Sequence, residues 1–334
     1  MRILYVATRF EYGDPSLGPS FEEMNFRSAL EGMGHELVTF DFHVRERLVG
    51  RDAMNEELVR AASDGPFDLA FFFLHEYEIT PRTIERVGAC GMPTINWFAD
   101  DHWRFDQFSR YYARVLDWSV TTDPDAVPRY RAAGVDHVIL SQWACNRYAY
   151  HRAQTALEYD VTFVGQPHGD RRAVATCIRD AGFDLRCWGN GWEAGRITHD
   201  GMVRVFSASR INLNLANAST VTPTARMKLG AWARGRRVDL RPRPSQIKGR
   251  TFEVPGCGGF LLTERVPHLE RYFELGREVA VFSSTDELVR EIGRWLDDPV
   301  GRSAVAAAGY RRVCAEHTYD HRFGEIFRVA DLAG

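Results

Sequence analysis

The chain has 334 residues, with 42 Lys and Arg against 45 Asp and Glu and a net charge of -3, a balance that argues against a nucleic-acid coat. That length suits two ordinary domains, since a domain commonly spans ~100–200 residues. None of the six cysteines forms a CxxC pair, no Cys/His spacing reads as zinc, and no apolar run approaches the ~20 residues of a membrane-spanning helix. The chain enters its first apolar run directly, without the pattern of a secretory signal. A cytoplasmic protein with reduced thiols is expected, with peripheral membrane contact left open.

Residues 1–7 read as a buried strand and 8–20 as a loop holding Gly13, Pro15, Gly18 and Pro19. Ser20 with Glu23 predicts a capping box at the head of a helix that Gly34 closes. Strands are expected over 36–42, 68–74, 93–99, 118–122 and 137–140, with helices over 52–62, 81–90 and 126–133. Such alternation implies a parallel sheet with helices on both faces. The pattern pauses over 142–159 and then restarts: strand 161–164, loop 165–170, helix 171–181, strand 184–187. A strand at 211–215, a basic stretch, a strand at 278–282 and a helix capped by Thr285 follow, then helical segments at 304–317 and 321–332. The expected fold class is α/β. Residues 1–150 form one Rossmann-like domain and 151–315 a second, facing it across a cleft, and 316–334 form a C-terminal helix returning to the first.

The densest chemistry lies in residues 248–264, KGRTFEVPGCGGFLLTE. Lys248 and Arg250 feed a short helix that begins near Thr251 and Phe252, Glu253 follows, and glycines break to a strand. Cations and open N–H groups at a helix start suit a diphosphate, and a carboxylate one step on suits vicinal hydroxyls. Gly165 opens a loop that Arg171 follows at a helix start, and Gly189 and Asn190 sit on a second loop that leaves a strand of the same half. An ordinary helix-to-strand corner is the plainer reading of the first stretch, and a surface arginine that of Arg171. The run Arg226, Lys228, Arg234, Arg236, Arg237, Arg241 and Arg243, relieved only by Asp239, is either a solvated face or a lure for an anion.

Residues 250–264, with VTFVG at 161–165, INLNL at 211–215 and His317-Thr318-Tyr319, resemble the donor domain of GT-B glycosyltransferases, most closely their spore-maturation-protein-like branch. The resemblance implies transfer of a sugar from a UDP-, GDP- or dTDP-linked donor held by the C-terminal domain. It implies an acceptor (small molecule, glycan or protein) on the N-terminal domain, no obligatory metal and no further cofactor. It gives Glu253 the donor-ribose role. An earlier glutamate common in such enzymes is replaced by Ser245, which departs from the two-glutamate retaining pattern. A base for the acceptor hydroxyl is sought at the end of the strand over 93–99, among Asp100, Asp101 and His102, with Asp100 favoured over Asp101 because neighbours on an extended chain point opposite ways. His75 with Glu76 is the second choice, and Glu22 and Glu23 follow the first loop. The aromatics Trp97, Trp103, Phe105, Phe108, Tyr111 and Tyr112 either pack a core or stack on a sugar. A nucleotide-sugar epimerase and a non-catalytic nucleotide-sugar-binding protein are the rival readings.

Overall fold

A computed structural model describes residues 1–216 and 245–332. The chain divides into an N-terminal unit, Met1–Ala149 with Glu316–Gly334, and a C-terminal unit, Tyr150–Ala315. The basic residues from Arg226 to Arg243 lie outside the described residues.

The N-terminal unit holds six parallel strands: β1 (Arg2–Val6), β2 (Glu36–Phe40), β3 (Leu69–Phe72), β4 (Thr94–Phe98), β5 (Trp118–Thr121) and β6 (Val138–Leu140), in the order β2-β1-β3-β4-β5-β6. Strand side chains alternate between faces. Leu4, Val6, Ala70, Phe72 and Phe98 therefore pack one face, while Ile3, Tyr5, Phe71, Ile95 and Trp97 pack the other. Burial on both faces explains why these strands read as nearly unbroken apolar runs. Of the aromatic cluster, Trp97, Phe105, Phe108 and Tyr112 are core residues, and Tyr111 is exposed.

The helix Tyr319–Val329 belongs to this unit. Its Tyr319 and Phe323 rings lie 5.1 and 5.4 Å from the ring of Phe26, which also meets Trp97 at 4.8 Å. The segment before it is stitched to the segment after β6: Cys145 N–H donates to the His317 carbonyl and Tyr319 N–H donates back to the Cys145 carbonyl. Arg322 Nε adds a bond to the Gln142 carbonyl at 3.0 Å.

The C-terminal unit holds five parallel strands, β7 (Tyr159–Val164), β8 (Leu185–Trp188), β9 (Ser209–Asn214), β10 (Leu261–Glu264) and β11 (Ala280–Phe282), in the order β11-β10-β9-β7-β8. Its core joins Val161, Phe163, Ile211, Leu213 and Leu262 to Ile178, Leu288, Ile292 and Trp295 from the flanking helices. In both sheets the strand order reverses once, between β1 and β3 and between β7 and β9. Loops leaving the carboxyl ends of the strands on either side of such a reversal form the crevice where ligands bind in open α/β sheets.

Local chemistry corrects several expectations. Ser20 Oγ accepts the Glu23 N–H at 3.0 Å, yet the capping box is incomplete, because Ser20 N–H goes to the Arg9 carbonyl and the Glu23 carboxylate pairs with Arg27 at 2.9 Å. The cap of the helix Thr285–Asp297 is Ser284, not Thr285. The helices Phe42–Val49, capped by Asp41, and His199–Ala208, capped by Thr198, are additional to the expected elements. No helix among the described residues is long and apolar enough to cross a membrane.

Candidate functional site

At the reversal point of the C-terminal sheet stands Arg171, the first residue of the helix Arg171–Asp180. It is neither a surface arginine nor an open phosphate ligand. It is buried, and its guanidinium donates to the Gln166 carbonyl at 2.9 Å and the Leu215 carbonyl at 2.6 Å. One carbonyl belongs to the loop after β7 and the other to the residue after β9, so Arg171 joins the two lips of the crevice. Burial first, and Arg250 second, push its pKa down to about 10, which leaves it charged at neutral pH.

The loops after β7 and β8 cross at Gly165 and Gly189. Gly165 N–H donates to the Trp188 carbonyl at 2.8 Å, and Trp192 Nε1 donates to the Gly165 carbonyl at 2.7 Å. A Cβ on Gly189 would stand 2.3 Å from that same carbonyl oxygen, and its φ of +141° is one that other residues rarely adopt. Gly189 is thus required by a backbone crossing. Asn190, at the tip, is exposed, and Arg172 holds the loop through the Gly191 carbonyl.

The helix Arg250–Gly256 is pinned to the end of β9, where Asn214 Nδ2 donates to Thr251 Oγ1 at 3.2 Å. The expectation that backbone N–H groups near Thr251 and Phe252 stay open for a phosphate is corrected. Thr251 N–H donates to the Lys248 carbonyl at 3.0 Å and Phe252 N–H to the Gly249 carbonyl at 2.9 Å. The turn leading into the helix consumes both. Phe252 itself is a core residue, tilted on Phe273 with ring centroids 5.5 Å apart. Lys248 is half-buried, and Arg250 Nη1 lies 3.8 Å from Glu253 Oε2.

Glu253 is buried, with 1 % of its surface exposed. Tyr150 hydrogen-bonds its carboxylate, but Oε2 has no hydrogen-bond partner among the described residues. Burial raises its pKa, against the opposing pull of Arg250, the Tyr150 bond and His199. A buried carboxylate oxygen with no donor carries a desolvation cost of about 1–3 kcal/mol, so a bound donor group would be favoured there. The glycine break after the helix has a steric cause: a Cβ on Gly259 would stand 2.5 Å from the Phe206 carbonyl oxygen. Ser245 Oγ donates to Glu264 Oε1 at 3.4 Å, and Glu264 Oε2 accepts the Ala216 N–H at 2.9 Å.

The N-terminal unit gathers titratable groups at the carboxyl ends of its strands. Asp101 is fully buried, and its Oδ2 accepts the Tyr130 hydroxyl at 2.8 Å. Burial pushes its pKa up to about 6, although nearby hydroxyls of Ser109, Thr121 and Tyr130 pull it back. Enclosure takes it out of direct contact with any acceptor. Asp100 is half-buried at the helix start, where its carbonyl accepts the Trp103 and Arg104 N–H groups and its side chain makes no capping bond. His102 Nε2 stands 3.9 Å from Asp123 Oδ1 beyond the end of β5. Two tighter pairs occupy the reversal point: His75 Nε2 with Glu22 Oε1 at 3.0 Å, and His43 Nε2 with Glu78 Oε1 at 3.2 Å. Sequence reasoning named His75 and Glu22 separately. Their contact spans 53 residues of chain, and no local pattern announces it.

Comparison with known proteins bears on this site. Residues 168–328 match a family model described as "Glycosyl transferase-like". No curated protein matches the chain. Several solved structures share its architecture end to end. The Anabaena protein HepE in complex with UDP is 11% identical over 100% of both chains, with a TM-score of 0.62, and its complex with UDP-glucose gives 0.63. Sucrose-phosphate synthase from Thermosynechococcus elongatus is 12% identical over 100% of both chains, with a TM-score of 0.66. AviGT4, a glycosyltransferase involved in avilamycin A biosynthesis, is 16% identical over 99% of this chain and 98% of its own, with a TM-score of 0.57. At these identities the likeness establishes the fold, the two-Rossmann-domain GT-B architecture.

Proposed function

We propose that this protein is a glycosyltransferase that moves a hexose from a nucleoside-diphosphate sugar to an acceptor held by the N-terminal unit. The observation that carries the reading is the buried Oε2 of Glu253, which lacks a donor and lies 3.8 Å from Arg250. A ribose supplies what that oxygen lacks, because its neighbouring hydroxyls donate hydrogen bonds. Arg250 and Lys248 then meet the diphosphate. Arg offers a planar fork and Lys a point charge. As the glycosidic bond breaks, negative charge grows on the leaving diphosphate, and loss of one preorganised donor aimed at such charge costs about 3–4 kcal/mol of transition-state stabilisation. Arg171, Gly165, Gly189 and Asn190 shape the wall of the donor site, with Arg171 acting through the two carbonyls it holds.

The matching family model favours glycosyl transfer, and the UDP and UDP-glucose complexes of HepE favour a uridine donor. The stretch RTFEVPGCGG favours the spore-maturation-protein-like branch. Two cationic side chains able to answer the diphosphate charge support a metal-independent transfer; chelator is expected to leave turnover unchanged. Six cysteines that form no disulfide, three of them exposed, favour a reducing cytoplasmic setting.

Calorimetry with UDP, GDP and dTDP tests the donor site. The protein is expected to bind one of them, and Glu253→Gln to weaken that binding by about 10- to 100-fold, the equivalent of a hydrogen bond to a charged group at roughly 1.5–3 kcal/mol. Undiminished binding in a folded variant would remove Glu253 from the site. Tight binding of a nucleotide sugar without release of free diphosphate would favour a binding protein over a transferase.

A further inference from the structure

Within the C-terminal unit, the Glu253 carboxylate is held from two sides. Its Oε2 has no hydrogen-bond partner among the described residues, so the bond from Tyr150 falls on Oε1. Tyr150, the first residue of this unit, is buried, with 5% of its surface exposed. Its ring meets the His199 ring edge-on, with centroids 4.8 Å apart. His199 opens the helix His199–Ala208. On the other side, Arg250 Nη1 stops 3.8 Å from Oε2, which is longer than a hydrogen bond. Arg250 Nη2 turns to Met202 Sδ at 3.8 Å, on the same helix as His199, and Arg250 Nε is buried without a hydrogen-bond partner among the described residues. Opposite charges away from water attract strongly, so keeping them short of contact needs groups that hold each one back. Tyr150 holds the acid and Met202 holds the guanidinium.

We propose that Tyr150 is the positioning residue of the donor site: its hydroxyl anchors Oε1 of Glu253 so that Oε2 is presented to a ribose hydroxyl, and the site thereby selects ribonucleoside diphosphates over those that lack one ribose hydroxyl. The inference rests on the donor role given to Glu253 above. A phenol donates one hydrogen bond and carries no charge, so it anchors one oxygen without neutralising the acid. A guanidinium in that place would fork across both oxygens and leave none for a ligand. Selection follows from burial. A site built to receive a hydroxyl rejects an analogue without it, because the buried oxygen is then left without a donor.

The groups that face Glu253 fix the direction of the pH response. Burial raises its pKa, and Arg250, the Tyr150 bond and His199 oppose that rise in this order; the net shift is upward. Cys257, at the end of the same helix, has its own pKa raised by burial first and Glu253 second, and stays neutral. Only the ionised carboxylate accepts on both oxygens, so ribose binding weakens as pH falls through the raised Glu253 pKa. Loss of the Tyr150 hydroxyl removes a bond to the charged form, so the pKa rises further and the inflection moves up. His199 acts in the opposite sense, because acidification gives it a positive charge that attracts an anionic donor.

Calorimetry with UDP-glucose and GDP-mannose, whose capped diphosphates do not titrate between pH 5 and 8, reads the pH response. UDP and GDP beside their 2′-deoxy and 3′-deoxy forms, and dTDP, read the ribose. The wild type is expected to lose affinity for its nucleotide sugar toward pH 5, and to bind the ribonucleotide about tenfold tighter than one of the deoxy forms. Tyr150→Phe keeps the ring against His199 and is expected to unfold at the wild-type Tm. Its inflection should move up by about one pH unit, with about tenfold weaker binding on the acid side and a narrower ribose preference. Added to Glu253→Gln, the same change should cost less than about twofold, because Tyr150 acts through Glu253. An unmoved inflection and an unchanged ribose preference in folded Tyr150→Phe overturn the role of Tyr150 and leave Glu253 in the site. A wild type that binds ribose and deoxy forms alike, or prefers dTDP, overturns the ribose role of Glu253 and that of Tyr150 with it. Binding of none of the three nucleotides removes the donor site altogether.

Discussion

At the reversal point of the N-terminal sheet, the segments that follow β1 and β3 meet through a buried carboxylate and an imidazole, Glu22 and His75. At the reversal point of the C-terminal sheet, the loops after β7 and β9 are joined instead by a guanidinium, that of Arg171. The two sheets share a topology and fill the same position with different chemistry. An imidazole changes its charge near neutral pH, whereas a guanidinium with a pKa of about 10 does not. One edge responds to pH and the other holds a permanent positive charge. A shared fold therefore says where to look in each half, and the residue types say what each half does.

That contrast can be broken at several points. The largest expected effect on stability is at the guanidinium. Arg171→Met leaves the Gln166 and Leu215 carbonyls without their donor, at roughly 1–3 kcal/mol for each unsatisfied group. Urea denaturation should show a loss of about 2–6 kcal/mol confined to the C-terminal unit. An unaltered transition would mean that the loops close without the bridge.

Next comes a pH effect confined to the N-terminal unit. Asp101 has its pKa raised from an ordinary 3.8 to about 6, with burial as the leading cause. Between those values the folded state keeps the proton that the unfolded state has lost, so stability falls as pH rises through the window. At about 1.36 kcal/mol per unit, the fall is roughly 3 kcal/mol. Asp101→Asn, titrated by thermal unfolding from pH 4 to 7, should flatten this slope. A slope equal to the wild type's would shift the cause to another group. The smallest effect is at the loop crossing. Trp192→Phe removes the indole bond to the Gly165 carbonyl and should cost about 1 kcal/mol, read as a small drop in Tm with nucleotide binding retained.

Much of this organisation is legible from sequence. The strands are visible because burial on both faces removes polar residues from runs such as residues 68–74. The restart at Asp160 is visible because a second strand, glycine loop and helix follow in order. Less visible is what depends on contacts distant in sequence. Arg171 looks like a surface cation until its reach to Leu215, 44 residues on, is seen. The pairing of Glu22 with His75 is hidden in the same way. The N–H groups of Thr251 and Phe252 look open because a helix start usually leaves such donors free, yet the preceding turn at Lys248 and Gly249 takes them. Asp100 and Asp101 differ in burial, but not because the chain is extended there, since Asp101 opens a helix; what encloses Asp101 is Tyr130, 29 positions away.

The return of the last helix to the first sheet has a consequence for biosynthesis. Because Glu316–Gly334 completes the N-terminal unit, the C-terminal unit is an uninterrupted insertion, and its two stems meet where Cys145 pairs with Thr318. A ribosome delivers the insertion whole while its host still lacks a helix that covers Tyr5, Phe71 and Trp97. The N-terminal unit is thus finished only after the inserted unit has been made, with an apolar sheet face awaiting its cover until the helix Tyr319–Val329 follows.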